Sequence, residues 1–175
     1  MIHYPNMLII RGTGRNIGKT LSACRIIQNL SSSHQPVGVK ISSHFHPLSD
    51  DMEVLIRTEN YVVSQEKSTT DKDSSRMLQS GASRAYYIQS RNEHVMEAYR
   101  QLLPRMDSSQ PVVVESGGLY DFAEPAILVQ IVGGTTDKNS YVRPETARII
   151  LASEEAVNNS WESVRFVNGN FKQDA

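Results

Sequence analysis

A glycine-rich stretch near the start of the chain carries the residue types that bind phosphate. It reads Arg11-Gly12-Thr13-Gly14-Arg15-Asn16-Ile17-Gly18-Lys19-Thr20, and it separates an apolar run at 7–10 from an amphipathic segment at 21–30. In a phosphate-binding P-loop of this layout, backbone N–H groups and the positive end of the helix dipole face the anion. The lysine reaches the terminal phosphates, and the next hydroxyl takes one position on Mg²⁺. The sequence therefore predicts a P-loop with Lys19 and Thr20 in these roles.

The spacing of this loop is one residue longer than usual. The usual pattern has a glycine five residues before Gly18, where this chain has Thr13, and the first glycine is Gly12. A glycine-rich turn before an ordinary helix is the alternative interpretation. The agreement of strand, loop, Gly-Lys-Thr and helix favours phosphate binding. The predicted phosphate-binding residues are Gly12, Thr13, Gly14, Arg15, Asn16, Ile17, Gly18, Lys19 and Thr20.

Charged residues that end or follow other predicted strands are candidates for the same site. Glu115 ends an apolar strand, where a carboxylate can hold Mg²⁺ or polarise the attacking water, so we predict a catalytic role for it beside Lys19. A solvent-exposed strand end is the alternative. Lys40 ends the second strand and could add positive charge over the terminal phosphate, or be solvated. Asp73 either joins the Mg²⁺ shell or caps the next helix.

Two further features leave their roles open. His44 and His46 stand two residues apart and could meet one metal ion or anion, but two histidines alone do not define a metal site. Thr135-Thr136-Asp137-Lys138-Asn139 lies where guanine-specific proteins often carry Asn/Thr-Lys-x-Asp. The residue order differs, so this stretch does not identify the base.

Strands that alternate with helices are expected to position these groups. The pattern predicts strands at 7–10, 36–41, 85–88, 111–118, 126–132, 147–152 and 164–167, and helices at 18–31, 74–79 and 93–106. The segment 42–73 lacks regular periodicity and is expected to be irregular, and 168–175 to be frayed. The whole pattern predicts one α/β domain over 1–175, a three-layer P-loop NTPase-like fold with a mostly parallel central sheet.

Composition and charge exclude several functional classes. A chain of 175 residues with 39% hydrophobic content can form one domain with a sizeable core. Its net charge of −1 does not indicate a nucleic-acid partner or an anionic membrane surface. Cys24 is the single cysteine, so an intrachain disulfide is excluded. No apolar run approaches the roughly 20 residues of a membrane span, and no secretory signal precedes the first strand, so a cytoplasmic protein is expected.

The chain resembles the molybdopterin-guanine dinucleotide biosynthesis protein B (MobB) family of small P-loop proteins. The resemblance spans most of the chain. The matching stretches are the glycine-rich loop, Val39-Lys40-Ile41 with His44 and His46, Lys72-Asp73-Ser74 with Gly81-Ala82, and Val113-Val114-Glu115. It implies GTP binding at Gly12 to Thr20, weak Mg²⁺-dependent hydrolysis with Glu115 at the metal, and assistance in attaching GMP to molybdopterin. It further implies a homodimer and suggests a molybdopterin guanylyltransferase-type partner.

Two other hypotheses remain open. The chain is also similar to dethiobiotin synthetase, an ATP-dependent ring-closing ligase. The similar stretches are Gly12-Thr13, Gly18-Lys19-Thr20, and Val114-Glu115 with Gly117-Gly118-Leu119. In that family, Lys40 would match a substrate-binding lysine. The longer loop, and Ser116 where the MobB family commonly has glycine, depart from the MobB pattern. The third hypothesis is an adapter that changes conformation with nucleotide, with 42–73 as its switch.

Overall fold

An eight-stranded, mostly parallel sheet forms the centre of the protein in a computed structural model that describes residues 1–133 and 146–174. Its strands are β1 (Ile2–Gly12), β2 (Val37–Ser42), β3 (Met52–Arg57), β4 (Tyr61–Glu66), β5 (Arg84–Ser90), β6 (Val112–Glu115), β7 (Ala123–Val132) and β8 (Ala147–Ala152). Their order is β3-β4-β5-β2-β6-β1-β7-β8. The pairs β3–β4 and β4–β5 are antiparallel, and the five other pairs are parallel. The predicted α/β class and mostly parallel sheet are confirmed.

Helices and a small hairpin accompany the sheet. The helices are α1 (Lys19–Ser31), α2 (Asp73–Gln79), α3 (Val95–Arg100) and α4 (Ser153–Asn158), with 3₁₀ turns at 92–94, 103–105 and 119–121. The hairpin consists of β9 (Val164–Val167) and β10 (Asn170–Gln173), which pair antiparallel. Among the described residues, no helix is long and apolar enough to cross a membrane.

The apolar run in β1 is buried on both faces of the sheet, as predicted. Successive side chains of a strand point to opposite faces. Met7 and Ile9 therefore join one hydrophobic cluster, with residues of α3, while Leu8 and Ile10 join the other, with residues of α1. All four side chains are fully buried. This double burial fixes β1 at the centre and holds its carboxyl end, where the glycine-rich loop begins, in a rigid frame.

Three of the predicted elements are wrong. The segment 42–73 contains the hairpin β3–β4, whose apolar side chains pack on the cluster around Met7. The helix predicted over 93–106 is limited to α3 and its flanking 3₁₀ turns, and Pro104 lies in the second of these turns. The frayed end contains β10, because Asn168 and Gly169 both have positive φ and form the turn from β9. The stretch Thr135–Asn139 lies outside the described residues.

Candidate functional site

The carboxyl ends of three adjacent strands bring the predicted charged residues together. The strand β6 lies between β1 and β2, and Glu115 is in register with Ile10 on one side and Lys40 on the other. Val113 in β6 belongs to the cluster that contains α1, so Glu115, two residues later, projects to the same face of the sheet. The first turn of α1 begins above these strand ends. The topology thus places Thr20 next to Glu115.

Glu115 is a buried carboxylate with a partner on each oxygen. The Thr20 Oγ1 hydroxyl donates to Glu115 Oε2 at 2.8 Å, and the Lys40 ammonium donates to Oε1 at 2.5 Å. The Glu115 residue is only 3% exposed. A charge this deeply buried requires a close counter-charge, which Lys40 supplies. The alternative of a solvent-exposed strand end is therefore wrong.

Asp73 extends this charge cluster from the start of α2. Its Oδ2 lies 3.1 Å from Lys40 Nζ, so one ammonium contacts two carboxylates. The N-cap position of α2 belongs to Lys72, not to Asp73. The capping role considered for Asp73 is therefore wrong, and its carboxylate faces the cluster. Arg76, one turn later in α2, approaches the other Asp73 oxygen at 4.0 Å.

The glycine-rich loop connects β1 to α1 in a conformation that its glycines make possible. A Cβ atom at Gly12 would lie 2.6 Å from Ile17 Cδ1 and 2.8 Å from the Ile131 carbonyl oxygen, closer than real Cβ contacts. Gly18, the N-cap residue of α1, has φ of 93°, which L side chains rarely adopt. Within the described part of the chain, no side chain caps this helix. Its first N–H groups therefore remain suitable for an anion.

Lys19 and Thr13 hold the loop at its two ends. The Lys19 ammonium donates to the Gly14 carbonyl oxygen, so this side chain folds back over the loop. The Thr13 hydroxyl donates to the Gly133 carbonyl oxygen at 2.8 Å and accepts from the Gly133 N–H at 3.0 Å. Thr13, at the position where a shorter loop has glycine, thus fastens the loop to the end of β7 through its side chain.

A cavity of about 550 Å³ opens between the loop, Glu115 and α2. Its size lies in the range of small-ligand pockets. Four cationic side chains line it against two carboxylates, a local excess of two positive charges in a chain whose net charge is −1. These side chains are Arg15, Lys19, Lys40, Arg76, Asp73 and Glu115. The cavity is therefore electrostatically suited to an anionic ligand.

The surroundings of Lys19 and Lys40 shift the pKa values of these two cavity lysines in opposite directions. Burial lowers the pKa of Lys19 below its usual value, and the attraction of Glu115 offsets this effect only in part. Burial also acts against the charged form of Lys40, but the combined attraction of Glu115 and Asp73 outweighs it and raises the pKa of Lys40. Lys40 is therefore held firmly in its charged form beside the two carboxylates.

The oxygen donors of the cluster fit a hard cation such as Mg²⁺. Thr20 and Glu115 supply a hydroxyl and a carboxylate, and Asp73 supplies a second carboxylate that contacts the same lysine. Magnesium typically takes one or two protein carboxylates and completes its shell with phosphates and water. Among the described residues, no three His, Cys, Asp or Glu side chains group closely enough to hold a metal by themselves. The donor set thus suits a weakly held ion whose shell is completed by water or phosphate oxygens.

The structure does not bring the two histidines to this cluster. His44 and His46 are exposed, and their ring centroids are 6.4 Å apart. His46 lines a neighbouring cavity of about 440 Å³, together with Lys40 and Asp73. A larger cavity, of about 830 Å³, lies on the other side of Lys40 and reaches Ser116.

Sequence reasoning missed Arg76 and the anchoring role of Thr13. Both depend on how distant elements meet, since Arg76 reaches the cavity from α2 and Thr13 bonds to the end of β7. For Arg76, the available signal was its position three residues after Asp73, on the same face of one helix turn.

A scan against protein-family models and searches of curated proteins and of solved structures found no match to this chain. The interpretation of the site therefore depends on its own residues and geometry.

Proposed function

We propose that the chain binds a nucleoside triphosphate with Mg²⁺ in the cavity beside the glycine-rich loop, hydrolyses it weakly and assists molybdopterin guanine dinucleotide biosynthesis. The observation that carries the binding proposal is the convergence of Lys19, Thr20 and Glu115 at one cationic cavity. We also propose that the sheet and its helices form a three-layer P-loop NTPase-like fold. The two hydrophobic clusters on opposite faces of β1 support that arrangement.

Different residues of the cavity bind the phosphates and the metal ion in this proposal. The N–H groups at the start of α1 and the Lys19 ammonium bind phosphate oxygens, after Lys19 leaves its contact with the Gly14 carbonyl. Thr20 and Glu115 would hold Mg²⁺, directly or through water, and the ion would neutralise charge on the phosphates. Arg15 and Arg76 add positive charge at the rim of the cavity.

Hydrolysis needs a group that positions a water molecule, and Glu115 is the proposed one. Its rigid place between Lys40 and Thr20 supports orientation of water or of the metal shell. The expectation that this hydrolysis is weak follows from the resemblance to the MobB family.

Preference for GTP over ATP follows from the resemblance to the MobB family alone. Competition titrations with a fluorescent guanine nucleotide measure this preference directly. We expect GTP and GDP to displace the probe at lower concentrations than ATP and ADP. Tighter ATP binding would favour the ligase instead.

The biosynthetic role and the proposed partners also follow from the resemblance to the MobB family alone. We expect a homodimer by light scattering, and nucleotide-dependent binding to a molybdopterin guanylyltransferase-type protein. An interaction whose affinity is the same with GTP, with GDP and without nucleotide would contradict a role that depends on the nucleotide site.

A dethiobiotin synthetase-like ligase is the second candidate, favoured by one observation. Lys40 lines both the cavity of about 550 Å³ beside the loop and the neighbouring cavity of about 830 Å³, where a second substrate could meet the terminal phosphate. A ligase predicts phosphate release from ATP that a diaminopelargonate-type substrate accelerates strongly. The molybdenum-cofactor role predicts that this compound has no effect.

The binding proposal is tested by calorimetric titration of GTP with Mg²⁺ and again with excess EDTA. We expect saturable binding to one site in Mg²⁺ and clearly weaker binding in EDTA, because Thr20 and Glu115 act on the nucleotide through the ion. The absence of binding by GTP and ATP under both conditions would contradict the proposal.

A further inference from the structure

We propose that Lys40 is a resident counter-ion that occupies the place of the divalent cation, and that metal binding displaces its ammonium from Glu115. The inference rests on the proposed function, because it takes Glu115 as a group that serves the metal. It goes further in assigning Lys40 a competing role, which lowers the affinity of the ligand-free protein for Mg²⁺.

The contacts of Lys40 are those of a cation held between carboxylates. Its Nζ lies 2.5 Å from Glu115 Oε1 and 3.1 Å from Asp73 Oδ2. A metal ion held by Thr20 and Glu115 would use the first of these two carboxylates and leave Asp73 to Lys40. A metal ion bound to Glu115 Oε1 and an ammonium hydrogen-bonded to the same oxygen at this distance would repel one another strongly. The two cations therefore compete for one oxygen.

The burial of Glu115 explains why a resident cation is needed. At 3% exposure, its ionised carboxylate without a partner would be destabilising. The Thr20 hydroxyl satisfies one oxygen but supplies no charge. Lys19 is near enough to act on Glu115 electrostatically, but its ammonium donates to the Gly14 carbonyl. In the structure, Lys40 thus supplies the charge in contact with Glu115.

The surroundings of Lys40 leave room for its ammonium to move. Its side chain is 18% exposed, and it lines the cavities of about 550, 830 and 440 Å³. Asp73 is more exposed, at 47%, and begins a helix of seven residues. The ammonium can therefore leave Glu115 and keep Asp73 as its partner, without becoming a buried, unpaired charge. In this way the exchange of cations avoids the main electrostatic penalty.

A direct test measures Mn²⁺ binding without nucleotide, by the electron paramagnetic resonance signal of free Mn²⁺. Lys40→Met removes the charge and keeps a side chain of similar length. We expect it to bind Mn²⁺ at least about tenfold more tightly than the wild type, since changes beside a metal ligand typically alter affinity by 10- to 100-fold. Lys72→Met is the matched control, because Lys72 lines a neighbouring cavity and its ammonium contacts Ser49 rather than Glu115. The control should bind Mn²⁺ like the wild type.

Two further measurements keep the test decisive. In the double variant Lys40→Met/Glu115→Gln, the gain in affinity should disappear while the fold, followed by circular dichroism, is kept. In the wild-type protein, mass spectrometry after brief acetylation should show faster modification of Lys40 with saturating Mg²⁺ than without it, and no change at Lys72. This second readout does not depend on the stability of any variant.

The outcomes separate this inference from the proposed function. Equal Mn²⁺ affinity in the wild type and in Lys40→Met, or weaker binding in Lys40→Met, overturns the counter-ion role and leaves nucleotide binding through Lys19 unaffected. Loss of GTP binding to the wild-type protein would overturn the proposed function itself. Tighter Mn²⁺ binding that survives in the double variant would also overturn the inference, because the ion would then lie elsewhere.

Discussion

Glu115 and Lys19 belong to one cavity, but their surroundings prepare them for different tasks. Glu115 is held rigidly by the Thr20 hydroxyl and the Lys40 ammonium. Lys19 is only half-buried, and a single carbonyl oxygen of the loop accepts its hydrogen bond. A fixed carboxylate suits the orientation of a metal or water, whereas an adaptable cation suits the capture of phosphate.

We therefore expect Glu115→Gln to impair hydrolysis more than binding. The amide keeps the volume and one acceptor oxygen but removes the negative charge. Single-turnover hydrolysis of GTP should slow by roughly tenfold to a thousandfold, the scale of losing one electrostatic or general-base contribution. The dissociation constant for GTP should change much less. Glu53→Gln, at an exposed position on the edge strand β3, is the control and should retain the wild-type rate. Wild-type hydrolysis in Glu115→Gln would leave this carboxylate without a catalytic role.

The charged residues at strand ends could be predicted from the sequence, whereas those that reach the site from a helix were harder to predict. Lys40 and Glu115 follow apolar strands, and a parallel sheet brings such ends to one edge, so the sequence alone indicates their proximity. Arg76 reaches the same cavity from α2. Its position three residues after Asp73 indicates a shared helix face, but its place in the cavity depends on the packing of that helix. The contact of Asp73 with Lys40 likewise depends on where α2 begins.

At the level of elements, the loop and the first turn of α1 depend on the backbone conformation of Gly18. We expect Gly18→Ala to lower the free energy of unfolding by about 1–2 kcal/mol, the usual cost of a left-handed conformation for an L residue. The new methyl group would also lie 3.1 Å from Val157 Cγ2. Because the altered backbone carries the amides that we propose bind phosphate, the affinity for GTP should fall as well. Denaturant unfolding and calorimetric titration measure the two effects.

Gly169→Ala is a matched control for this substitution. Gly169 also has a positive φ, of 77°, but lies in the turn between β9 and β10 with nothing within 4 Å of an added Cβ. It should lose a similar amount of stability through backbone strain and keep full affinity for GTP. Equal losses of affinity in both variants would mean that the effect at Gly18 reflects general destabilisation.

The central strands and β9 were predicted, whereas the hairpin β3–β4 and the strand β10 were not. Continuous apolar runs such as 7–10 identify doubly buried parallel strands. The segment 42–73, predicted to be irregular, contains two short apolar runs at 54–56 and 61–63. They lie in β3 and β4, which pair with each other across a short turn. Asn168-Gly169 is the strongest short hairpin signal in the chain, and its two positive φ values confirm the turn. The sequence thus contains the signal for this turn, although 168–175 was predicted to be frayed.

At the scale of the whole molecule, the charge distribution singles out one cavity as suited to an anion. The chain carries a net charge of −1, yet the cavity beside the loop has more cationic than acidic side chains. Such a local excess of positive charge would attract a triphosphate electrostatically. Salt screens this attraction and shortens the distance over which it acts. A triphosphate bound as proposed, with a metal ion between it and the protein, would link the ends of β1 and β6 to both α1 and α2.

Binding of Mg²⁺ and GTP should therefore stabilise the whole fold by mass action. At a free ligand concentration one hundred times Kd, the free energy of unfolding should rise by about 2.7 kcal/mol. Thermal unfolding with GTP and Mg²⁺, with GTP and EDTA, and with Mg²⁺ alone should show the full shift only in the first sample. A shift of the same size in EDTA would exclude a role for the ion.

The central claim is that the glycine-rich loop binds the phosphates through Lys19, and equilibrium binding of GTP with Mg²⁺ to Lys19→Ala tests it most directly. Lys67→Ala, an exposed lysine on the segment after β4, is the control. We expect Lys19→Ala to keep the fold and to bind GTP roughly ten- to a hundredfold more weakly, the scale of losing one charged hydrogen bond, while Lys67→Ala binds like the wild type. Wild-type affinity in a folded Lys19→Ala protein would contradict the assignment of this loop as the phosphate site.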